Sequence, residues 1–81
     1  MAEDLLNRIT VDNNILDGKP CIRGKRVSVQ TILEFLSAGD SHEDILHQYP
    51  SLEEKDIEAC LLFAAKIAGL HYHIHLIQQH A

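Results

Sequence analysis

The side chains best suited to chemistry in this 81-residue sequence are the cations Lys19, Arg23, Lys25 and Arg26. They fall within residues 18–29, a stretch that holds no carboxylate. A short run of unopposed cations suits phosphate contact rather than base reading. The internal alternative is that Arg23 and Arg26 pair with Asp12, Asp17 or acids of the later helices, tying the N-terminal segment to the rest. Exposed pairs of that kind contribute roughly 0–1 kcal/mol each. The same stretch is not a phosphate loop. Five residues rather than four separate Gly18 from Gly24, and Arg26 stands where a serine or threonine is required.

The six histidines are the other chemical resource. His71 and His75 are spaced i, i+4 for a helix, and His71, His73 and His75 would share one face of a strand, but no carboxylate or cysteine nearby completes a metal shell. His71, His73 and His80 are expected to form a polar face opposite Ile74 and Ile77, and neutral imidazoles gain charge below about pH 6.5. No metal, cofactor or small-molecule substrate is expected. His42, Asp44 and His47 read as a solvated connector, and no ordered Ser-His-Asp or Cys-His set is present, so no catalytic residue is assigned and the chain is not expected to be an enzyme. Cys21 and Cys60 lack CxxC spacing and read as reduced, small hydrophobes.

The elements that must position these groups begin with strand and turn. Ile9-Thr10-Val11 are β-formers, followed by the turn-favouring Asp12-Asn13-Asn14. Asp17-Gly18-Lys19-Pro20 is a second turn, and Cys21-Ile22-Arg23 and Arg26-Val27 flank Gly24 as a small hairpin needing positive φ at the glycine. The period then becomes helical. Val29, Ile32, Leu33 and Leu36 share a helix face, with Ser28 as N-cap and Gly39 at the C-terminal end. Ser41-His42-Glu43-Asp44 predicts a capping box for a short second helix that Tyr49-Pro50 closes. Ser51-Leu52-Glu53-Glu54 predicts another, opening a third helix with Ile57, Cys60, Leu61, Ala64 and Ala65 turned inward.

A second apolar stripe, Phe63, Ile67, Leu70, Ile74 and Ile77, follows spacings of 4, 3, 4 and 3. It is a heptad-like seam and a candidate protein interface, provided the helix runs through Gly69 at a cost of about 1 kcal/mol relative to alanine. A break at Gly69 with residues 71–76 extended is the alternative. So is a Phe63 and Ile67 that fold under the hairpin.

The element order is that of a helix-turn-helix protein. The first turn of the third helix carries Glu53, Glu54, Asp56 and Glu58, which phosphates would repel and a helix N-terminus favours. Composition sets the class. Hydrophobic residues make up 46% and charged residues 23%, as in a globular chain. The net charge of −5 divides unevenly. Residues 1–29 hold five cations against four acids, and residues 30–81 two against eight. No apolar run approaches the roughly 20 residues of a membrane span, and the first residues lack a signal-peptide pattern, so a soluble, cytoplasmic protein without membrane contact is expected.

The segments Ile9-Thr10-Val11-Asp12, Ile15-Leu16-Asp17-Gly18-Lys19-Pro20-Cys21-Ile22-Arg23-Gly24-Lys25-Arg26-Val27 and Tyr49-Pro50-Ser51-Leu52 resemble the hallmark segments of the domain-of-unknown-function 433 family. Asn13 departs from the proline of many relatives, and the histidine-rich tail after Gly69 has no match in the pattern. The resemblance implies a small prokaryotic helix-turn-helix-like protein, commonly the antitoxin beside a PIN-like nuclease toxin. On that footing the expectation is a homodimeric antitoxin-like module that masks a PIN-like nuclease encoded nearby. The four cations would give weak operator DNA binding, and Phe63, Ile67, Leu70, Ile74 and Ile77 the protein interface. The acidic third helix could mimic a nucleic acid backbone toward the toxin. The alternative is a stand-alone helix-turn-helix DNA-binding transcriptional regulator. The expected fold is mainly α in a single domain over 1–81: a small β-hairpin segment (9–27), a trihelical core (28–68) and a C-terminal extension (69–81) that makes the last helix long.

Overall fold

The computed structural model describes residues 4–79, with side chains described for 4–70. Three two-residue strands, β1 (Ile9–Thr10), β2 (Cys21–Ile22) and β3 (Val27–Ser28), precede three helices. The helices are α1 (Val29–Ser37), α2 (His42–Gln48) and α3 (Glu54–Gln79). The fold is mainly α, as the sequence predicts. The sheet is one strand larger than a hairpin: β2 lies between β1 and β3, antiparallel to both, with Ile9 opposite Ile22 and Ile22 opposite Val27. Such short strands are marginal alone. Here they persist because Cys21, Ile22 and Val27 are buried under the helices.

The chain reaches the sheet through two unusual turns. Gly24, at φ +76°, supplies the left-handed residue of the β2–β3 loop, and Arg26 follows at φ +55°. Before β2, Leu16, Asp17 and Gly18 all have positive φ (49°, 57° and 80°), and the Gly18 and Lys19 amides donate back to the Ile15 and Leu16 carbonyls. A left-handed leucine costs about 1–2 kcal/mol, so the surrounding structure must hold it there.

Helix boundaries follow their caps. The Ser28 hydroxyl accepts from the Thr31 amide and starts α1. Gly39, at φ +101°, ends it: its amide donates to the Leu36 carbonyl and that of Asp40 to the Phe35 carbonyl, the paired bonds of a Schellman end. Ser41 and Asp44 form the predicted reciprocal box on α2. This box also holds the Asp44 carboxyl below the ordinary aspartate value, chiefly through the Ser41 backbone N–H and then the Ser41 hydroxyl.

The second predicted box is displaced. Ser51 lies in a turn closed by the Leu52 amide on the Tyr49 carbonyl, which buries Leu52, and α3 starts at Glu54. The Asp56 carboxylate accepts from the Glu53 amide, so the return half of the box joins Glu53 and Asp56 rather than Ser51 and Glu54. The inward face of α3 shifts with it. Asp56, Ile57, Ala59 and Cys60 are buried, whereas Leu61 and Ala65, predicted to point inward, are exposed. Helix α3 then runs unbroken through Gly69, which excludes the extended alternative for residues 71–76.

The core is Ile22, Val27, Val29, Ile32, Ile45, Leu52, Ile57 and Cys60, with Phe35, Tyr49 and Phe63 half-buried around it. Burial pushes the Cys60 thiol up to about 12, with the Asp56 charge adding to it. Among the described residues no helix is long and apolar enough to cross a membrane.

Candidate functional site

Phe63 packs half-buried against the core that includes Ile22 and Val27, whereas Ile67 stays exposed. The two form one wall of an open groove of about 520 Å³ whose other wall is Val29 and Leu33 of α1, with Lys19 and Pro20 at its edge. Ile67 is 42% exposed and Leu70, one turn further, 65% exposed. Every residue from Ala65 to Leu70 is exposed, so α3 begins to leave the body of the protein near Ala64, and its helix extends to Gln79. The predicted interface residues Ile74 and Ile77 and the histidines His71, His73 and His75 lie beyond the described side chains, and His80 lies outside the described residues.

The four predicted cations are all exposed, but they do not form one patch. Arg23 and Lys25 line a small recess with Arg8, Glu53 and Asp56. Lys19 and Arg26 line another, of about 290 Å³, with Leu16, Asp17, Thr31 and Tyr49. The β2–β3 loop divides the pairs because β2 and β3 are only two residues long and the intervening four residues must reverse direction. None of the four makes an ion pair among the described residues, so the tie that sequence analysis offered through Arg23 or Arg26 is absent there.

Arg8 is the tie instead. Its Nη1 lies 2.7 Å from Glu53 Oε1 and 2.9 Å from Asp56 Oδ1, joining the turn before β1 to the start of α3. Asp56 is 3% exposed, and its second oxygen accepts from the Glu53 amide at 2.8 Å. No sequence signal singled out Arg8; the one available clue was an isolated cation just ahead of β-formers in an acidic chain.

The acids of the third helix are thereby occupied. Glu53 and Asp56 hold Arg8, Glu54 pairs with His42 Nδ1, and Glu58 lies 3.9 Å from Lys55. These pairs weaken the suggestion that the four carboxylates mimic a phosphate backbone, because Asp56 is not presented to a partner at all. Among the described residues no group of three or more His, Cys, Asp or Glu is placed to hold a metal ion.

A second surface has an unusual combination of features. Leu16 is exposed in its left-handed turn, and Lys19 and Arg26 line the same recess with no ion pair among the described residues. An apolar side chain and two cations against the single acid Asp17 are thus presented together on a backbone held in a costly conformation.

Comparison with known proteins places this geometry in a family. A family model described as "Protein of unknown function (DUF433)" matches residues 9–64, from β1 into the second half of the core portion of α3. The chain is also similar to the uncharacterized protein y4eO of Sinorhizobium fredii, 36% identical over 56 residues. The match covers 69% of this chain and 25% of that protein, so the chain spans about a quarter of the length of its relative. No solved structure matches it. The matched region contains the recess of Lys19 and Arg26, that of Arg23 and Lys25 apart from Arg8, and most of the groove, and it ends before the exposed part of α3.

Proposed function

The chain belongs to the DUF433 family, and from that footing we propose that it is an antitoxin-like protein-interaction module that binds and masks a PIN-like nuclease. The observation that carries this reading is the Leu16 surface. An exposed leucine is held at φ 49° beside Lys19 and Arg26, neither of which has an ionic partner among the described residues. Strain of this kind persists where the surrounding structure enforces it and often accompanies a binding surface. A nuclease active site built from carboxylates would receive two cations, and its apolar rim would receive Leu16.

The test is inhibition of the nuclease encoded beside this chain. The double variant Lys19→Glu/Arg26→Glu is expected to lose inhibition at low salt while its far-ultraviolet circular dichroism is unchanged. Full inhibition by the folded double variant contradicts the reading.

A second reading, a DNA-binding regulator, is favoured by one observation: Arg23 and Lys25 also make no ion pair among the described residues and lie exposed on the β2–β3 loop. If DNA is the target, the logarithm of affinity falls with the logarithm of salt, and the slope lessens by about 0.9 for each cation removed. Salt-independent binding, or none, removes that reading.

A further inference from the structure

Helix α3 is longer than the part of it whose described side chains are buried. Its 26 residues extend about 39 Å at 1.5 Å per residue, and the core engages only the first part. From Ala65 onward the described side chains are exposed, and an isolated helix of this remaining length is marginal in water. The chain is correspondingly extended. Its radius of gyration is 14.3 Å, against about 12 Å for a compact domain of this length. Its accessible surface is 5853 Å², against about 4,900 Å² for a folded monomer of its mass. The surplus is close to the ~800 Å² that each partner buries in a standard interface.

The apolar groove and the exposed part of α3 are complementary parts of one surface. The groove, between Val29 and Leu33 on one side and Phe63 and Ile67 on the other, is open along α3. The seam that begins at Phe63 continues through Ile67 and Leu70, and the 4-3-4-3 spacing extends to Ile74 and Ile77 in the sequence. We propose that the α1–α3 groove is the seat for the C-terminal half of α3 from a second copy of this chain, the two α3 helices crossing antiparallel about a two-fold axis near residues 68 and 69.

The orientation follows from what each arrangement covers. A parallel pair would match the free halves with each other and leave both α1 walls bare. An antiparallel pair lays each free half along the other copy's groove. In heptad terms it sets Phe63 opposite Ile74 and Ile67 opposite Leu70 of the second copy, the mixed layers that antiparallel seams require. A two-fold pairing uses the same patch twice and closes at two copies. It leaves Leu16 and Arg26 free and passes Lys19 at the edge of the groove, so this inference goes beyond the nuclease reading, and Arg26→Glu alone tests that reading without touching the dimer groove.

The experiment is sedimentation equilibrium of the full chain from 1 to 200 μM, with Ile67→Glu and Leu70→Glu as variants. Both residues are substantially exposed in the single chain, so neither substitution should unfold it, and circular dichroism at high dilution checks this. The expected result is a wild-type dimer whose dissociation constant rises about a hundredfold or more in each variant, since two buried side chains are lost per dimer. For orientation, copies carrying Lys66→Cys are mixed with copies carrying His73→Cys under mild oxidation. The mixed cross-link should exceed the Lys66→Cys self-link. The native Cys60, buried and with its thiol pushed up to about 12, stays out of the reaction. A monomer at 200 μM overturns the proposal, as does a dimer indifferent to both glutamates, which would place the interface elsewhere. Predominant self-linking of Lys66→Cys copies overturns the antiparallel seat.

Discussion

Removing the Asp56 carboxylate should destabilise this protein far more than removing any neighbouring acid. Asp56 is 3% exposed and does two things at once: one oxygen meets Arg8 Nη1 at 2.9 Å, and the other accepts the Glu53 amide at 2.8 Å. In Asp56→Ala the Glu53 amide at the helix start loses its partner, and Arg8, only 20% exposed, loses its buried carboxylate contact and keeps the exposed one to Glu53. A hydrogen bond to a charged group contributes about 1.5–3 kcal/mol, and a buried pair broken on one side costs up to about 3–5 kcal/mol. Arg8 keeps Glu53 and some solvent, which places the expected loss at about 2–3 kcal/mol. That corresponds to roughly 10–20 °C in Tm for a domain of this size. Glu53→Ala is the control. Its side chain is 68% exposed, so its loss should stay within about 1 kcal/mol. Urea unfolding at one fixed protein concentration and neutral pH measures both, and Arg8→Ala/Asp56→Ala should be less damaging than the sum of the single changes. Equal losses for Asp56→Ala and Glu53→Ala, or a loss below 1 kcal/mol for Asp56→Ala, would refute the assignment of this cluster as the tie between the sheet segment and α3.

Four other outcomes are expected. Gly24→Ala should cost about 1 kcal/mol for a left-handed alanine, and Gly18→Ala more, because at φ +80° its added Cβ also meets Asn13 Oδ1 at 3.0 Å; denaturant midpoints rank the two, and a smaller loss at Gly18 contradicts the turn geometry. Gly69→Ala should gain up to about 1 kcal/mol of helix stability, since nothing lies within 4 Å of the new Cβ, and a loss of helicity would argue against the continuous α3. The Asp44 carboxyl, held below its ordinary 3.8, is ionised in the folded state to lower pH than in the unfolded chain. Its contribution is therefore complete above that value and disappears as pH falls through the lower folded value; carboxyl chemical shifts should give a midpoint below 3.8, and Ser41→Ala should raise it. Cys60 behaves in the opposite sense: its folded value near 12 exceeds the ordinary 9.0, so its contribution holds below pH 9 and fades as pH rises toward 12. A thiol reagent at pH 8 should not label Cys60 in the folded protein, and rapid labelling without unfolding would contradict its burial.

Local patterning carried most of the fold. Ser28, Gly39 and the Ser41–Asp44 box act through atoms within three or four residues, so α1 and α2 were legible with their ends. The continuity of α3 was legible from the 4-3-4-3 spacing because Gly69 costs less than a broken seam would. What failed had two sources, a competing local bond and contacts distant in sequence. Ser51-Leu52-Glu53-Glu54 fits a capping box, but burial of Leu52 and the Glu53 amide's bond to the Asp56 carboxylate, three residues on, displaced it. Arg8 reaches Asp56 across 48 residues, a pairing no window could reveal. Asp56, held by Arg8, lies on the buried face of α3, and Leu61 and Ala65 face outward.

The candidate surfaces were legible by residue type and not by arrangement. Phe63, Ile67 and Leu70 were found from their spacing, but the α1 wall opposite them required the fold. The cations were found from local charge, yet the β2–β3 turn separates Arg23 and Lys25 from Lys19 and Arg26. Leu16 carried no signal at all, because a leucine at positive φ runs against its own preference and only the assembled turn imposes it.

The central claim is that this chain acts by binding another protein. The most direct measurement is co-expression with the product of the adjacent gene, copurification, and assay of the complex for nuclease activity before and after the two chains are separated. The account predicts a stable complex that is inactive until separated, and that fails to form with Lys19→Glu/Arg26→Glu. A folded chain that binds no neighbouring product, or a complex whose nuclease is fully active, would contradict it.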